Sequence, residues 1–467
     1  MNLHEAWNST QGFTDNGMAT NLSSLRATVD FFFLAGASRG KDIRPALVSA
    51  MGEDLDVAIR TLLWARDVRG GAGERGTFRN LLSYLATGKT YEDRQVVPKL
   101  IPLVPVVGRW DDLLVLNNTP FWSAAVAEIR KGLEAGNGLC AKWMPRKGRL
   151  AAELRNSLGM TPKQYRKTLV NLTKVVETQM CANEWEKIEY PHVPSLAQIR
   201  YKAAFQRHDP EGYAAYVESV EKGEAKVNAG AVFPHDIVKN LGPLSDKQWE
   251  ALPNFMEGNK DRVLPVCDVS ASMYGLPMWV SIALGLYISE RNEGPFKDTV
   301  VTFSHRPSLV KLKAKGLAHR VDELGNIDWG GNTDLALTFE AILETAQKLN
   351  LPEEEMPTMV LIISDMEFDE AMGNYSWARQ ETVIRNKMAM EMIRDRYTNA
   401  GYKVPKVVFW NVNGRPSNSP VTYKEDGTAL ISGFSPSILT SVLGDMEQFT
   451  PQSVMLQTVM NDRYRWQ

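Results

Sequence analysis

One stretch restricts the fold of this chain more than any other: Val263-Leu264-Pro265-Val266-Cys267-Asp268-Val269-Ser270-Ala271-Ser272-Met273. Its apolar or β-compatible start runs without polar alternation into one carboxylate and two hydroxyls spaced two apart, and a helix-like pattern follows over 276–290. Such a run predicts a strand covered on both faces, the kind found in parallel sheets flanked by helices. In open sheets of that class, ligands sit beyond the carboxyl ends of the strands. Asp268, Ser270 and Ser272 therefore fall where a site is expected. Their oxygens are hard donors, which suit Mg²⁺ or Mn²⁺, ions that take about six oxygens and keep several waters.

Two later stretches add to this set. Trp329-Gly330-Gly331-Asn332-Thr333-Asp334 is a Gly-bearing loop that offers the Thr333 hydroxyl just before a helix-like run over 335–349. Thr358-Met359-Val360-Leu361-Ile362-Ile363-Ser364-Asp365 reads as a second buried strand that ends in a carboxylate. A Ser-bearing turn after a strand is, by itself, more often a helix cap than a metal ligand. Thr333 and Asp365, at their own loop and strand ends, shift the reading toward a metal.

The order Asp-x-Ser-x-Ser, then Thr, then Asp resembles the von Willebrand factor A family, whose metal-ion-dependent adhesion site uses that set in that order. The resemblance implies that Ser270, Ser272 and Thr333 touch a divalent cation, Mg²⁺ foremost with Mn²⁺ as the alternative, while Asp268 and Asp365 act mostly through waters. It also implies a further ligand oxygen, such as a carboxylate, from a partner. Around these positions there is no positioned general base, no nucleophile paired with a base and no cofactor fingerprint. His4, His192, His208, His235, His305 and His319 show no metal-ligand pairing. The expectation is a binding site, not an enzyme, with no catalytic residue.

At 467 residues the chain is too long for one ordinary core. A formal charge of -2 argues against a wholly basic nucleic-acid binder, yet leaves room for a local basic face. The three cysteines, Cys140, Cys181 and Cys267, are scattered without metal-ligand spacing and read as reduced thiols. The amino terminus lacks a basic region followed by an apolar run, and no stretch approaches the ~18 apolar residues of a membrane span. A cytoplasmic location away from membranes is expected.

Residues 1 to about 50, rich in Asn, Ser, Thr and Gly, read as an extended arm that enters a helix. Helical periodicity begins at Leu55 and stops at Gly70-Gly71, with further helices over 75–86, 96–103, 110–116 and 122–133. Thr161-Pro162 and Asp209-Pro210 each place a capping side chain before a proline at the first helical position, and Ser245 is a capping candidate for 247–252. No β-alternating run of useful length precedes residue 257. After it, strands over 263–267, 299–304, 359–364, 407–412 and 429–432 alternate with helices over 276–290, 318–324, 335–349, 378–397 and 435–443. The expected architecture is multi-domain: an all-α helical-repeat, HEAT-like domain over 1–257, then an α/β doubly wound, Rossmann-like A-domain over 258–467.

The basic residues fall in two groups. Lys142, Arg146, Lys147, Arg149, Arg155, Lys163, Arg166 and Lys167 face a single acid, Glu153, with Trp143 and Tyr165 among them as stacking surfaces. Arg66, Arg69, Arg75 and Arg79 bracket the turn Gly70-Gly71-Ala72-Gly73, offset in part by Asp67 and Glu74. In a soluble protein such groups usually form a solvated helix face. The domain order alters that weighting. A helical-repeat half followed by an A-domain resembles the Ro autoantigen family, whose TROVE module is a ring of helical repeats closed by an A-domain and binds non-coding RNA. Closer still in Cys267–Met273, Trp329–Asp334, Ser364–Phe368 and Arg66–Arg75 is a TROVE-related family of unknown function found in plants, fungi and large phages. The resemblance implies a non-enzymatic RNA-binding protein in which the helical half, a ring or horseshoe, holds non-coding or single-stranded RNA. The alternative is a scaffold whose metal captures a partner protein's carboxylate.

Overall fold

The computed structural model describes residues 11–88, 91–230, 232–303, 307–327, 334–369, 389–444 and 446–467. A helical region leads into a six-stranded sheet. The sheet strands are β3 (Val263–Cys267), β4 (Thr299–Thr302), β5 (Leu309–Lys311), β6 (Met359–Ser364), β7 (Lys406–Asn411) and β8 (Thr428–Ser432), following a short hairpin of β1 (Gln11–Phe13) and β2 (Ala19–Asn21). Their spatial order is β5-β4-β3-β6-β7-β8, parallel throughout except for β5, which runs antiparallel to β4. Counted from β3 this is 3-2-1-4-5-6, the doubly wound order, and it reverses between β3 and β6. Pairing of Cys267 with Ile363 across that reversal sets Asp268 and Asp365 just past adjacent strand ends.

The apolar runs account for the central strands, since β3 and β6 are buried at every position and begin and end where the sequence predicts. The edge strand β5, with the exposure pattern of a rim, lacks such a run and is a structural addition to the expected set. The helix Leu276–Arg291 is apolar on nearly every side and lies in the core between β3 and the helix Pro234–Lys239. Gly285 is needed there, because a Cβ would fall 2.2 Å from Cys267 Sγ. The helix Leu335–Leu349 matches its predicted ends, opened by Asp334 accepting from Leu337 N at 3.1 Å and closed by Asn350 in the left-handed region. The predicted helix over 378–397 is described only from Ala389, as Ala389–Ala400.

In the helical region Thr161 and Gln164 form a capping box with Pro162 at the first turn, and Asp209 accepts from Gly212 N at 3.1 Å before Pro210, as expected. Other boundaries move. The helix from Leu55 ends at Arg66, not at the glycines, and Ser245 is the first helical residue instead of its cap. The first half is also not free of strands, since β1 and β2 pair as a hairpin.

Packing ignores position 257. One apolar core runs from Met18 to Leu169 and again from Ala229 to Trp466, and a small separate core forms around Tyr190, Phe205, Tyr213 and Tyr216. The helix Ala27–Ala35 lies against β8, where Ser432 Oγ donates to Phe32 O at 2.8 Å and accepts from Gly36 N at 3.0 Å. In return Trp466 Nε1 donates to Asp56 Oδ1 at 2.8 Å and Tyr464 OH to Gly70 O at 3.0 Å. Among the described residues no helix is long and apolar enough to cross a membrane.

This shared core makes an acid-sensitive point of His235. Its ring stacks on Phe233 and meets the edge of Phe434 at 5.8 Å, and burial, reinforced by the charges of Arg39 and Lys239, pulls it down to about 3. The folded chain keeps this imidazole neutral, whereas the unfolded chain protonates it below about 6.5. Its contribution is complete above that value and is lost as pH falls toward 3, at about 1.4 kcal/mol per pH unit. Buried carboxylates raised by burial, such as Glu74 and Asp268, act in the opposite sense. Urea titrations between pH 6 and 4.5 should therefore give a shallower loss of stability in His235→Gln than in the wild type. Equal slopes would show that His235 takes up its proton while folded.

Candidate functional site

Asp268, directly past the end of β3, is fully buried. One carboxylate oxygen accepts from Ser270 N at 2.9 Å and the other from Ser364 Oγ at 2.5 Å. Burial pushes its carboxyl up to about 6 against these hydrogen bonds. Ser270 and Ser272 are half-buried at the rim, their hydroxyl oxygens 3.0 Å apart. Asp365 is 1% exposed; Oδ1 accepts from Glu367 N at 3.3 Å and Oδ2 from Arg415 Nη2 at 3.0 Å. Between Asp365 and Glu367, Met366 takes the left-handed backbone at φ 67°, fixed by a hydrogen bond from its N–H to Ser364 Oγ. A buried non-glycine residue in that region is uncommon. Thr333 lies outside the described residues.

The donor set fits a small hard cation. The two serine hydroxyls hydrogen-bond to each other at 3.0 Å, a separation that is also that of two oxygens side by side on an octahedral Mg²⁺, ~3.0 Å. Both oxygens of Asp268 already accept hydrogen bonds, which suits a carboxylate that acts through water. Among the described residues no cluster of three or more carboxylate, imidazole or thiolate groups could hold a metal. The hydroxyl-rich set is of another kind.

Sequence reasoning missed the cations at this rim. Arg415, on the loop after β7, also reaches Asp15 Oδ2 at 3.0 Å and Glu367 Oε1 at 3.7 Å. Lys41 Nζ donates to Asn413 Oδ1 at 2.8 Å and Gly414 O at 2.6 Å. Burial, then Arg415, lowers the Lys41 ammonium from its ordinary range. The available signal was positional: Asn413-Gly414-Arg415 follows a buried strand at the same sheet end as Asp268 and Asp365.

The basic groups are sorted by burial. Arg66 is 1% exposed, and its Nε donates to Asp112 Oδ2 at 2.7 Å, so this side chain is structural and leaves the candidate polyanion set. Arg79 is tied to Asp111 at 2.7 Å and Asp112 at 2.5 Å. Arg69 and Arg75 are exposed. In the second group Arg146, Lys147, Arg149, Lys163, Arg166 and Lys167 are exposed, while Lys142 and Arg155 are half-buried. Arg149 pairs with Glu153 at 2.6 Å, and Lys142 approaches Glu177 at 3.7 Å. Tyr165 is not a stacking surface, for it is buried and donates to Pro145 O at 2.9 Å. Trp143 carries the Arg109 guanidinium 4.1 Å over its ring. Lys174, also exposed, extends the basic stretch.

Two family models match the chain, both described as domains of unknown function: DUF2828 over residues 149–263 and DUF7788 over 262–464. They meet at the start of β3. The chain is 29% identical, over 510 aligned positions, to "Uncharacterized protein L728" of Acanthamoeba polyphaga mimivirus, covering 96% of this chain and 87% of that protein. Among solved structures it is similar to the Deinococcus radiodurans RO (RSR) protein, with a TM-score of 0.48 and 13% identity over 94% of this chain and 100% of that one.

Proposed function

We propose that this is a non-enzymatic RNA-binding protein whose helical region, a HEAT-like array of the TROVE kind, holds non-coding or single-stranded RNA, and whose α/β unit is a von Willebrand factor A-like domain with a divalent-cation site. One observation carries the RNA reading. Lys163, Arg166 and Lys167 stand exposed at helical spacing on the helix Pro162–Leu172, without a carboxylate partner among the described residues. Arg146 and Lys147 lie exposed just before the neighbouring helix Gly148–Ser157. Lysines and arginines held in this way neutralise phosphates and release counterions; they position a nucleic acid without reading its sequence. At the other site Ser270 and Ser272, with Thr333, would hold Mg²⁺ or Mn²⁺, and the bound ion would supply a coordination position for an anionic oxygen.

Reversal of Lys163, Arg166 and Lys167 to Glu should lower affinity at least ~10-fold for several unrelated RNAs alike and flatten the salt dependence by about two to three units of slope. Filter retention across a monovalent salt series measures both. Unchanged affinity and slope would make the stripe a solvated face. A second reading, capture of a partner protein's carboxylate by the metal, draws on the half-buried serine hydroxyls at the rim. That contact would collapse with chelator and respond little to monovalent salt.

A further inference from the structure

One side chain next to the hydroxyl pair contributes almost nothing to the folded chain. Tyr274 is 87% exposed, further into water than any other large apolar or aromatic side chain among the described residues, of which Phe13 and Leu349 come next at 62%. Among those residues its ring meets no other ring and its hydroxyl has no hydrogen-bond partner. Its backbone, by contrast, is held. In the 3-10 turn Ala271–Met273 the Met273 N–H donates to Ser270 O at 3.0 Å, and the Tyr274 N–H donates to Ala271 O at 3.2 Å. Met273, between Ser272 and Tyr274, is fully buried. On the other side Gly275 turns the chain at φ 97°, a conformation that favours glycine, into the helix Leu276–Arg291. Two residues of chain span at most ~7 Å, so the Tyr274 Cα lies within that distance of the Ser272 Cα. Single exposed apolar side chains are ordinary on a protein surface. The place of this one is not, since it stands two residues from a proposed cation donor on a turn anchored at both ends.

We propose that Tyr274 is the base-stacking residue of the cation site: its ring takes a base of single-stranded RNA while a phosphate oxygen of the same strand fills the open coordination position. This rests on the RNA-binding and cation readings above. A nucleotide brings a hard anionic oxygen and a flat ring in one ligand, whereas a partner protein's carboxylate needs no aromatic neighbour. Successive nucleotides advance ~3.4 Å along a strand, so the base of the bound nucleotide or of the next one comes within reach of a ring carried ~7 Å away. Every base has a π-face, and the contact therefore adds affinity without reading sequence. The buried Met273 and the turn hydrogen bonds fix the backbone that carries the ring before any ligand arrives.

The test uses the full chain with Tyr274→Ala and Tyr274→Phe, probed with a 12-nucleotide oligoadenosine in Mn²⁺ and again with chelator. In Mn²⁺, Tyr274→Ala should bind the oligonucleotide at least ~5-fold more weakly, and Tyr274→Phe, which keeps the ring, should bind as the wild type does. The salt slope should not change in either variant, because stacking neutralises no phosphate. Calorimetric Mn²⁺ affinity without RNA and the Tm of the unliganded chain should also stay at wild-type values, which separates a ligand contact from a metal-holding or structural role. If Tyr274→Ala keeps wild-type RNA affinity while the Lys163, Arg166 and Lys167 reversal loses it, the stacking residue is wrong and the RNA reading stands. Loss of affinity in Tyr274→Phe equal to that in Tyr274→Ala would assign the effect to the hydroxyl and overturn stacking. Equal wild-type RNA affinity in Mn²⁺ and in chelator would break the link to the cation. No RNA binding by the wild type in either condition would remove the RNA reading and this proposal together.

Discussion

Asp112→Ala should destabilise the chain by about 3–5 kcal/mol, a large share of the roughly 5–15 kcal/mol that holds a folded domain together. The Asp112 side chain is fully buried and satisfies three donors: Arg66 Nε at 2.7 Å, Arg79 Nε at 2.5 Å and the Arg109 backbone N–H at 2.9 Å. Its loss strands the Arg66 guanidinium where water does not reach, and a buried charge without its counter-charge is the expensive case. The pair as such is not required. Arg66→Met combined with Asp112→Leu should recover part of the loss, since it removes the stranded guanidinium but leaves Arg79 Nε and the Arg109 N–H without Asp112. The first cooperative transition in urea, followed for the two single variants and the double, measures the coupling. A loss below about 1 kcal/mol in Asp112→Ala would mean that Arg66 relaxes to solvent, and would return it to the polyanion-binding candidates.

Removal of both serine hydroxyls should abolish divalent-cation binding with the fold intact. Ser270 and Ser272 are half-buried with their hydroxyls 3.0 Å apart, so Ser270→Ala with Ser272→Ala removes the two proposed metal donors and leaves the Ser270 N–H to Asp268 bond in place. Asp268→Ala is the poorer experiment, because it also deprives Ser364 Oγ and Ser270 N of their acceptor in the interior. Calorimetric titration with Mn²⁺ and Mg²⁺ should give a saturable signal in the wild type and none in the double variant. Arg415→Gln should act the other way. It removes a cation 3.0 Å from Asp365, and the resulting drop in like-charge repulsion should tighten metal binding several-fold. An affinity unchanged by the serine substitutions would dismiss the site, and weaker binding in Arg415→Gln would show that Arg415 orients Asp365 for the metal instead of competing with it.

What the amino-acid sequence by itself determined lies within reach of local physics. β3 and β6 end within one residue of their apolar runs because a strand covered on both faces is apolar along nearly all of its length. The helix Pro162–Leu172 starts at Thr161-Pro162 because a cap acts over three residues of chain. Asp268 and Asp365 were legible at the sheet end for the same reason, as they directly follow β3 and β6. Tertiary structure alone decided the rest. Arg66 and Arg75 belong to one sequence motif, yet one is sealed against an aspartate 46 residues away and the other faces solvent. A charged side chain has the same composition and spacing in either place. Arg415 reached Asp365 through a loop after β7, the hairpin of β1 and β2 came to lie beside that loop, and Ala27–Ala35 was taken up by β8 at a separation of some 400 residues. None of these leaves a periodic trace, because burial is set by which distant surfaces meet, whereas propensity and capping act only between near neighbours in the chain.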